Sequence, residues 1–218
     1  MTSWVDDLTF GNMSSAAGLR PKESESPYHG VPQQEWRGIT RELLRKQELD
    51  GSSLLEAVLQ SWDDIFDSTI GLAKIGTDIF PAPQVLGFLL HELVPLRISK
   101  TKPNWRRDAS SSEKDLVFIP DPALSIEIKT SSHRGQIFGN RSFGIDNPGR
   151  GKKAKSGYYC TINFQRWLDA RSGRPEVTRV GYGWLDSTDW NAQPAQTGQK
   201  STLPAIVYNT QLAVLFQR

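Results

Sequence analysis

Residues 115–119 and 124–130 are two β-prone runs with only Pro120, Asp121, Pro122 and Ala123 between them. An Asp-Pro pair initiates a turn, because the aspartate side chain bonds to backbone just ahead of it and proline presets φ. The stretch therefore folds as an antiparallel hairpin and commits the chain to a sheet. A turn centred between Asp121 and Pro122 sets Leu116 opposite Glu127 and Asp115 opposite Ile128. Side chains alternate along a strand, so Ile126 and Ile128 enter a core while Glu127 and Lys129 share the other face. Two carboxylates and one ammonium then converge beside the open end of the hairpin.

That set matches the needs of phosphodiester hydrolysis, which requires a hard divalent cation, an activated water and stabilisation of the leaving oxygen. Mg²⁺ is held by one or two carboxylates and keeps its other positions for water and phosphate oxygens. Asp115 and Glu127 fit the ligand role, the Ile128 carbonyl is a candidate third ligand, and Lys129 is placed to orient or deprotonate the attacking water. Charged residues alternating with apolar ones also describe any half-exposed strand, so the triplet alone is weak; its strength comes from the upstream Asp115 and the basic flanks. Asp121 is a rival first carboxylate, but it lies in the turn.

Ahead of the hairpin the apolar spacing is helical. Residues 33–46 carry Trp36, Ile39, Leu43 and Leu44 on one stripe, and 54–66 carry Leu55, Val58, Leu59, Trp62, Ile65 and Phe66, with Ser52 or Ser53 as the expected cap. Residues 84–94 predict a buried central helix, opened by Pro81 and Pro83 and ended by Pro95. Glu92 within it is either the partner of a nearby basic group or a carboxylate aimed at the metal. Asp63, Asp64, Asp67 and Asp78 read as caps and solvated face. After the hairpin, 157–164, 177–185, 205–208 and 212–216 read as strands, and Gly181 and Gly183 imply close approach of another backbone. Helices followed by consecutive strands predict a three-layer α/β/α or an α+β sheet. Residues 1–30, rich in Ser, Gly and Pro, are expected to form a flexible or extended arm, and 31–218 a single domain.

Net charge is only +2 and there is one cysteine, Cys160, in an apolar setting. No intramolecular disulfide is possible, which together with the absence of a signal pattern or a membrane span points to a soluble cytoplasmic protein. Any nucleic-acid partner must be held by local patches. Residues 97–107 contain Arg97, Lys100, Lys102, Arg106 and Arg107 with no acid, and 134–155 contain Arg134, Arg141, Arg150, Lys152, Lys153 and Lys155 against Asp146 alone. These flank the hairpin, where a scissile phosphate has to be gripped. Ser131, Gln136 and Asn140 join Arg134, Arg141, Lys152, Lys153 and Lys155 as candidate DNA contacts, since Arg reads guanine and Asn or Gln reads adenine. Asn191, Gln193, Gln196, Gln199 and Lys200 form a second polar loop.

The strings Glu127-Ile128-Lys129-Thr130-Ser131-Ser132-His133, Ile137-Phe138-Gly139-Asn140-Arg141-Ser142 and Lys155-Ser156-Gly157-Tyr158-Tyr159 resemble the ScaI-type group of Type II restriction endonucleases, within the PD-(D/E)XK nuclease superfamily. Asp78-Ile79-Phe80-Pro81, Leu90-His91-Glu92-Leu93 and Gly183-Trp184-Leu185-Asp186 agree, and the likeness spans about residues 62–200. The usual Pro before the first Asp is Lys114 here. The resemblance implies a restriction-endonuclease-like three-layer core, a mixed central sheet flanked by helices. It implies a homodimer that cuts both strands of a short palindrome in Mg²⁺, leaving 5′-phosphate and 3′-hydroxyl ends, alongside a cognate DNA methyltransferase. It also places a Glu of an early core helix near the site, matching Glu92. A two-fold symmetric DNA site likewise calls for a two-fold symmetric protein. The competing readings are a repair or junction-resolving nuclease on the same core, and a DNA-binding module that retains the fold.

Overall fold

In the computed structural model, which describes residues 26–140, 155–171, 173–192 and 200–218, helices form where the apolar spacing puts them. Helix α1 (Trp36–Arg45) follows a single 3-10 turn, and α2 (Gly51–Asp67) buries Leu54, Ala57, Val58, Trp62, Ile65 and Phe66 along one face. The cap of α2 is Asp50, not Ser52 or Ser53. Its carboxylate accepts the Ser53 backbone N–H at 2.7 Å and both serine hydroxyls, satisfying an open first-turn donor and placing negative charge at the positive end of the helix dipole. Of the segment expected as an arm, residues 1–25 lie outside the described residues; Tyr28 is buried, with its hydroxyl 3.0 Å from Thr40 Oγ1.

Helix α3 (Pro83–Thr101) continues through Pro95, where the sequence predicted its end. Proline removes one main-chain hydrogen bond, but Val94, Pro95 and Ile98 are all buried, and that packing holds the last turns in place. The helix is not buried all round either: Val85 and Phe88 face solvent.

Strands β1 (Thr69–Ile70) and β2 (Ala73–Lys74) form a small hairpin between α2 and α3. The remaining strands are β3 (Trp105–Arg107), β4 (Leu116–Phe118), β5 (Ile126–Ser131), β6 (Phe138–Asn140), β7 (Gly157–Phe164), β8 (Val177–Leu185), β9 (Asn191–Ala192), β10 (Lys200–Thr202) and β11 (Leu212–Gln217). The central sheet runs β11-β8-β7-β5-β4-β3, and β6-β10-β9 make a second, smaller sheet. Among the described residues only β5 and β7 are parallel neighbours in the central sheet, so it is mixed.

Two apolar clusters cover its faces. Ile126, Ile128, Tyr158, Cys160, Ile162, Val180 and Tyr182 pack with α2 and α3. Tyr159, Leu185 and Leu212 pack on the other side with Ile137, Trp190, Leu203, Val207 and Tyr208. The last two lie on α4 (Ala205–Thr210), a helix where a strand was expected. The β-branched pair Ile206-Val207 misled the propensity reading, whereas Pro204 starts the helix and its carbonyl takes the Tyr208 N–H at 3.0 Å. The layer opposite α2 and α3 is thus a short helix plus a small sheet. At Gly183 the expected close approach is real: a Cβ there would lie 1.8 Å from the Gln211 carbonyl oxygen.

The hairpin exists, but its register differs by one residue. Leu116 pairs with Ile126, not Glu127. Asp121 accepts the Ala123 N–H at 3.2 Å and caps a 3-10 turn at Pro122–Leu124. That turn takes residues out of the ladder unevenly and shortens β4, and it gives Asp121 a structural role in place of the rival catalytic one.

Candidate active site

Asp115 stands just before β4, at the point where the β4–β5 ladder has ended. Its Oδ2 accepts the Ile128 backbone N–H at 2.6 Å, and its Oδ1 lies 3.5 Å from Nδ1 of His91 on α3. In a strand the N–H and C=O of one residue point to the same edge, so the Ile128 carbonyl opens on the side occupied by Asp115. Glu127 is 3% exposed and Lys129 donates to its Oε1, both on the face of Tyr159, which is Glu127's partner in the β5–β7 register. Burial, and then the charges of Glu127, Asp115, Asp189 and Asp186, hold the Tyr159 phenol far above its usual range. Four carboxylates thus act on that one phenol. Asp115 is thus bonded to the Ile128 N–H, and Lys129 to Glu127, on neighbouring positions of β5.

Among the described residues no cluster of three His, Cys, Asp or Glu side chains is arranged to hold a metal. Two carboxylates and a main-chain carbonyl suit a hard cation that retains water ligands, and do not suit a closed zinc site. The Cys160 thiol is buried and pushed up to about 12 by that burial, then by Asp115, so it is no nucleophile.

Glu92 follows His91 on α3 and forms an ion pair with Arg107. Arg107 is paired in the ladder with Leu116, the residue after Asp115. Glu92 thus borders the site, and its carboxylate is engaged by a guanidinium. The same holds for most of the basic run at 97–107, expected to grip phosphate. Arg97 pairs with Asp64, Lys102 with Asp50 at 3.5 Å, and Arg106 with Glu113 at 2.5 Å. Acids distant in sequence neutralise the run, which a local count could not reveal.

Of the candidate DNA contacts, Arg134 and Asn140 are exposed. Ser131 is buried, and its Oγ accepts the His133 N–H at 3.1 Å. Gln136 donates to the Leu203 carbonyl at 3.1 Å and accepts the Ile137 N–H at 3.2 Å. These two shape the loop instead of presenting themselves to a ligand. Lys155 is half-buried and its carbonyl takes the Tyr159 hydroxyl. Arg141, Lys152 and Lys153 lie outside the described residues, as do Gln193, Gln196 and Gln199.

Two residues at the site escaped the sequence reading. His91 has no nearby sequence partner for Asp115, and only its place in Leu90-His91-Glu92-Leu93 hinted at a role. Lys114, noted only as a missing proline, is buried; its Nζ donates to the Ser156 carbonyl at 3.0 Å and lies 5.5 Å from the Tyr159 ring centroid. Gly157, at φ 132°, makes room for it.

A mixed central sheet flanked by helices, with Asp115, Glu127 and Lys129 carried on its β4–β5 hairpin, is the restriction-endonuclease-like fold. A family model described as ScaI restriction endonuclease matches residues 26–216. The Type II restriction enzyme ScaI of Streptomyces caespitosus is 54% identical over 213 residues, covering 97% of this chain and 94% of that protein. The chain belongs to the ScaI restriction endonuclease family and is a nuclease.

Proposed function

We propose that the protein is a Type II restriction endonuclease that cuts both strands of duplex DNA at a short palindrome in a Mg²⁺-dependent reaction, leaving 5′-phosphate and 3′-hydroxyl ends. The observation that carries this reading is the convergence of Asp115, the Ile128 carbonyl edge, Glu127 and Lys129, in a chain of this family. Asp115 and Glu127 would hold the metal, with the Ile128 carbonyl beside them. When bound, Mg²⁺ supplies positive charge against the phosphate and lowers the pKa of a coordinated water. The Ile128 N–H and His91 fix the Asp115 carboxylate. Lys129 would orient the attacking water, while Glu127 holds the ammonium in place. Because a palindrome has two equivalent strands, the protein acts as a homodimer with one site per strand. It works in the cytoplasm beside a cognate methyltransferase that protects host DNA. No helix among the described residues is long and apolar enough to cross a membrane.

The test is incubation of purified protein with long duplex DNA and Mg²⁺, followed by sequencing of the ends. Discrete fragments sharing one end sequence are expected. Cutting confined to branched DNA would favour a junction-resolving activity instead. Asp115→Ala and Glu127→Ala should abolish cleavage while duplex binding survives, and retained cutting would remove these residues from the mechanism.

A further inference from the structure

We infer that Asn163 is a positioning residue for DNA recognition: it fixes the turn that follows the catalytic strand and so sets how Arg134 meets the duplex. The inference rests on the nuclease reading above. Asn163 lies on β7, beside Ser131 of β5 and Arg179 of β8 in the ladder, and is fully buried. A carboxamide at such a place has to satisfy both its donor and its acceptor ends. Its Nδ2 donates to the His133 carbonyl at 2.7 Å and to the Gln136 carbonyl at 3.0 Å, and its Oδ1 accepts the Tyr208 hydroxyl at 2.7 Å. The two carbonyls bracket Arg134 and Gly135, so one side chain grips both ends of the turn and leaves Arg134 exposed at its tip.

Tyr208 is itself held. Arg179, buried on β8, donates to the Tyr208 carbonyl at 3.0 Å, and its guanidinium carbon lies 3.8 Å from the Tyr208 ring centroid. The relay thus ties β8 and α4 through Asn163 to a turn that begins directly after β5. Within the turn, the Gly135 N–H bonds to His133 Nδ1 at 3.1 Å. The sheet does not need this arrangement for its cohesion, since an apolar pair of similar shape in place of the asparagine and tyrosine can be nearly neutral for stability. What an apolar pair cannot supply is a fixed turn. A loop ordered before binding avoids the entropy cost of ordering on the duplex, and contacts to bases or phosphates demand placement within about 0.5 Å. The effect of the relay therefore falls on DNA binding and discrimination rather than on the bond-breaking step.

Asn163→Asp keeps the shape but sets a carboxylate against two carbonyl oxygens; Tyr208→Phe removes one hydroxyl and disturbs the fold least. Duplex affinity is read by fluorescence anisotropy in chelator, without turnover, and kcat and KM are read in Mg²⁺ on the mapped site and on one-base variants of it. The aspartate variant is expected to lose about ten-fold or more in duplex affinity, with KM rising in parallel and kcat changing far less. Discrimination against one-base variants should narrow, and the phenylalanine variant should fall between it and the wild type. Unchanged affinity and discrimination would overturn the inference, as would a fall in kcat alone. If Asn163→Asp fails to fold, Tyr208→Phe decides on the same criteria. A wild-type protein that binds duplex but never cuts it would end the nuclease reading, whereas the anisotropy series would still decide the positioning role.

Discussion

Replacing Gly157 by alanine should destabilise the protein, for two separable reasons. The first is conformational: φ is 132° at Gly157, where an L-residue costs about 1–3 kcal/mol. The second is steric. An added Cβ would fall 2.0 Å from Lys114 Nζ and 3.3 Å from its Cε, so the ammonium must leave the Ser156 carbonyl, forfeiting a charge-assisted bond worth about 1.5–3 kcal/mol. Together these give about 2.5–6 kcal/mol, or on the order of 10 °C in Tm for a chain of this length. Urea denaturation followed by tryptophan fluorescence measures it. The decisive arm is the same substitution in a Lys114→Ala background, where the steric part vanishes and only the backbone cost of about 1–3 kcal/mol remains. Equal destabilisation in both backgrounds would show that Lys114 does not depend on the missing Cβ.

Burial holds the Asp189 carboxyl up at about 6, against its ordinary 3.8. A raised folded-state pKa favours folding while the group is protonated, so this contribution is full below about pH 4 and is lost as pH rises through about 6; Asp189→Asn should flatten that slope in urea midpoints, and an unchanged slope would contradict it. Burial raises the Asp50 carboxyl, but the Ser52 and Ser53 hydrogen bonds and Lys102 outweigh it and bring it down to about 2. Its contribution is present above about pH 4 and lost as pH falls towards 2, so Asp50→Ala should cost about 1 kcal/mol at pH 7 by thermal melt and much less near pH 2. Glu92→Gln is expected to leave cleavage intact because Arg107 already takes the carboxylate; loss of cutting with stability kept would place Glu92 at the metal instead.

Local patterns carried much of the fold. The 3.6-residue stripe of α2, the alternation in β5 and the tight packing at Gly183 all follow from period and sterics, and all were legible. Errors came where distant contacts override local preference. The burial of Val94, Pro95 and Ile98 carries α3 past a proline, Pro204 and core packing turn Ile206-Val207 into helix, and a 3-10 turn capped by Asp121 shifts the hairpin by one residue. Asp115 still meets β5 after that shift, because it reaches the Ile128 N–H from outside the ladder. His91, Asn163 and Tyr208 were not legible, since their partners lie far away in the chain and no short motif announces them. The basic run at 97–107 is paired with acids of α2 and with Glu113, which a count of charge within the run could not show.

The lone parallel contact in the central sheet separates two tasks along the chain. Antiparallel neighbours can be joined by a tight turn, but parallel ones require the chain to travel back along the sheet before re-entering it. After Lys129 and Ser131 the chain must therefore leave the catalytic strand and return only at Gly157, on the far side of a long detour. The ladder fixes both ends of this stretch, so the register of β5 and β7 is set by the strands themselves. On the DNA-contact reading of Arg134 proposed above, a new target sequence would be acquired within this stretch, outside the strand that carries Glu127 and Lys129.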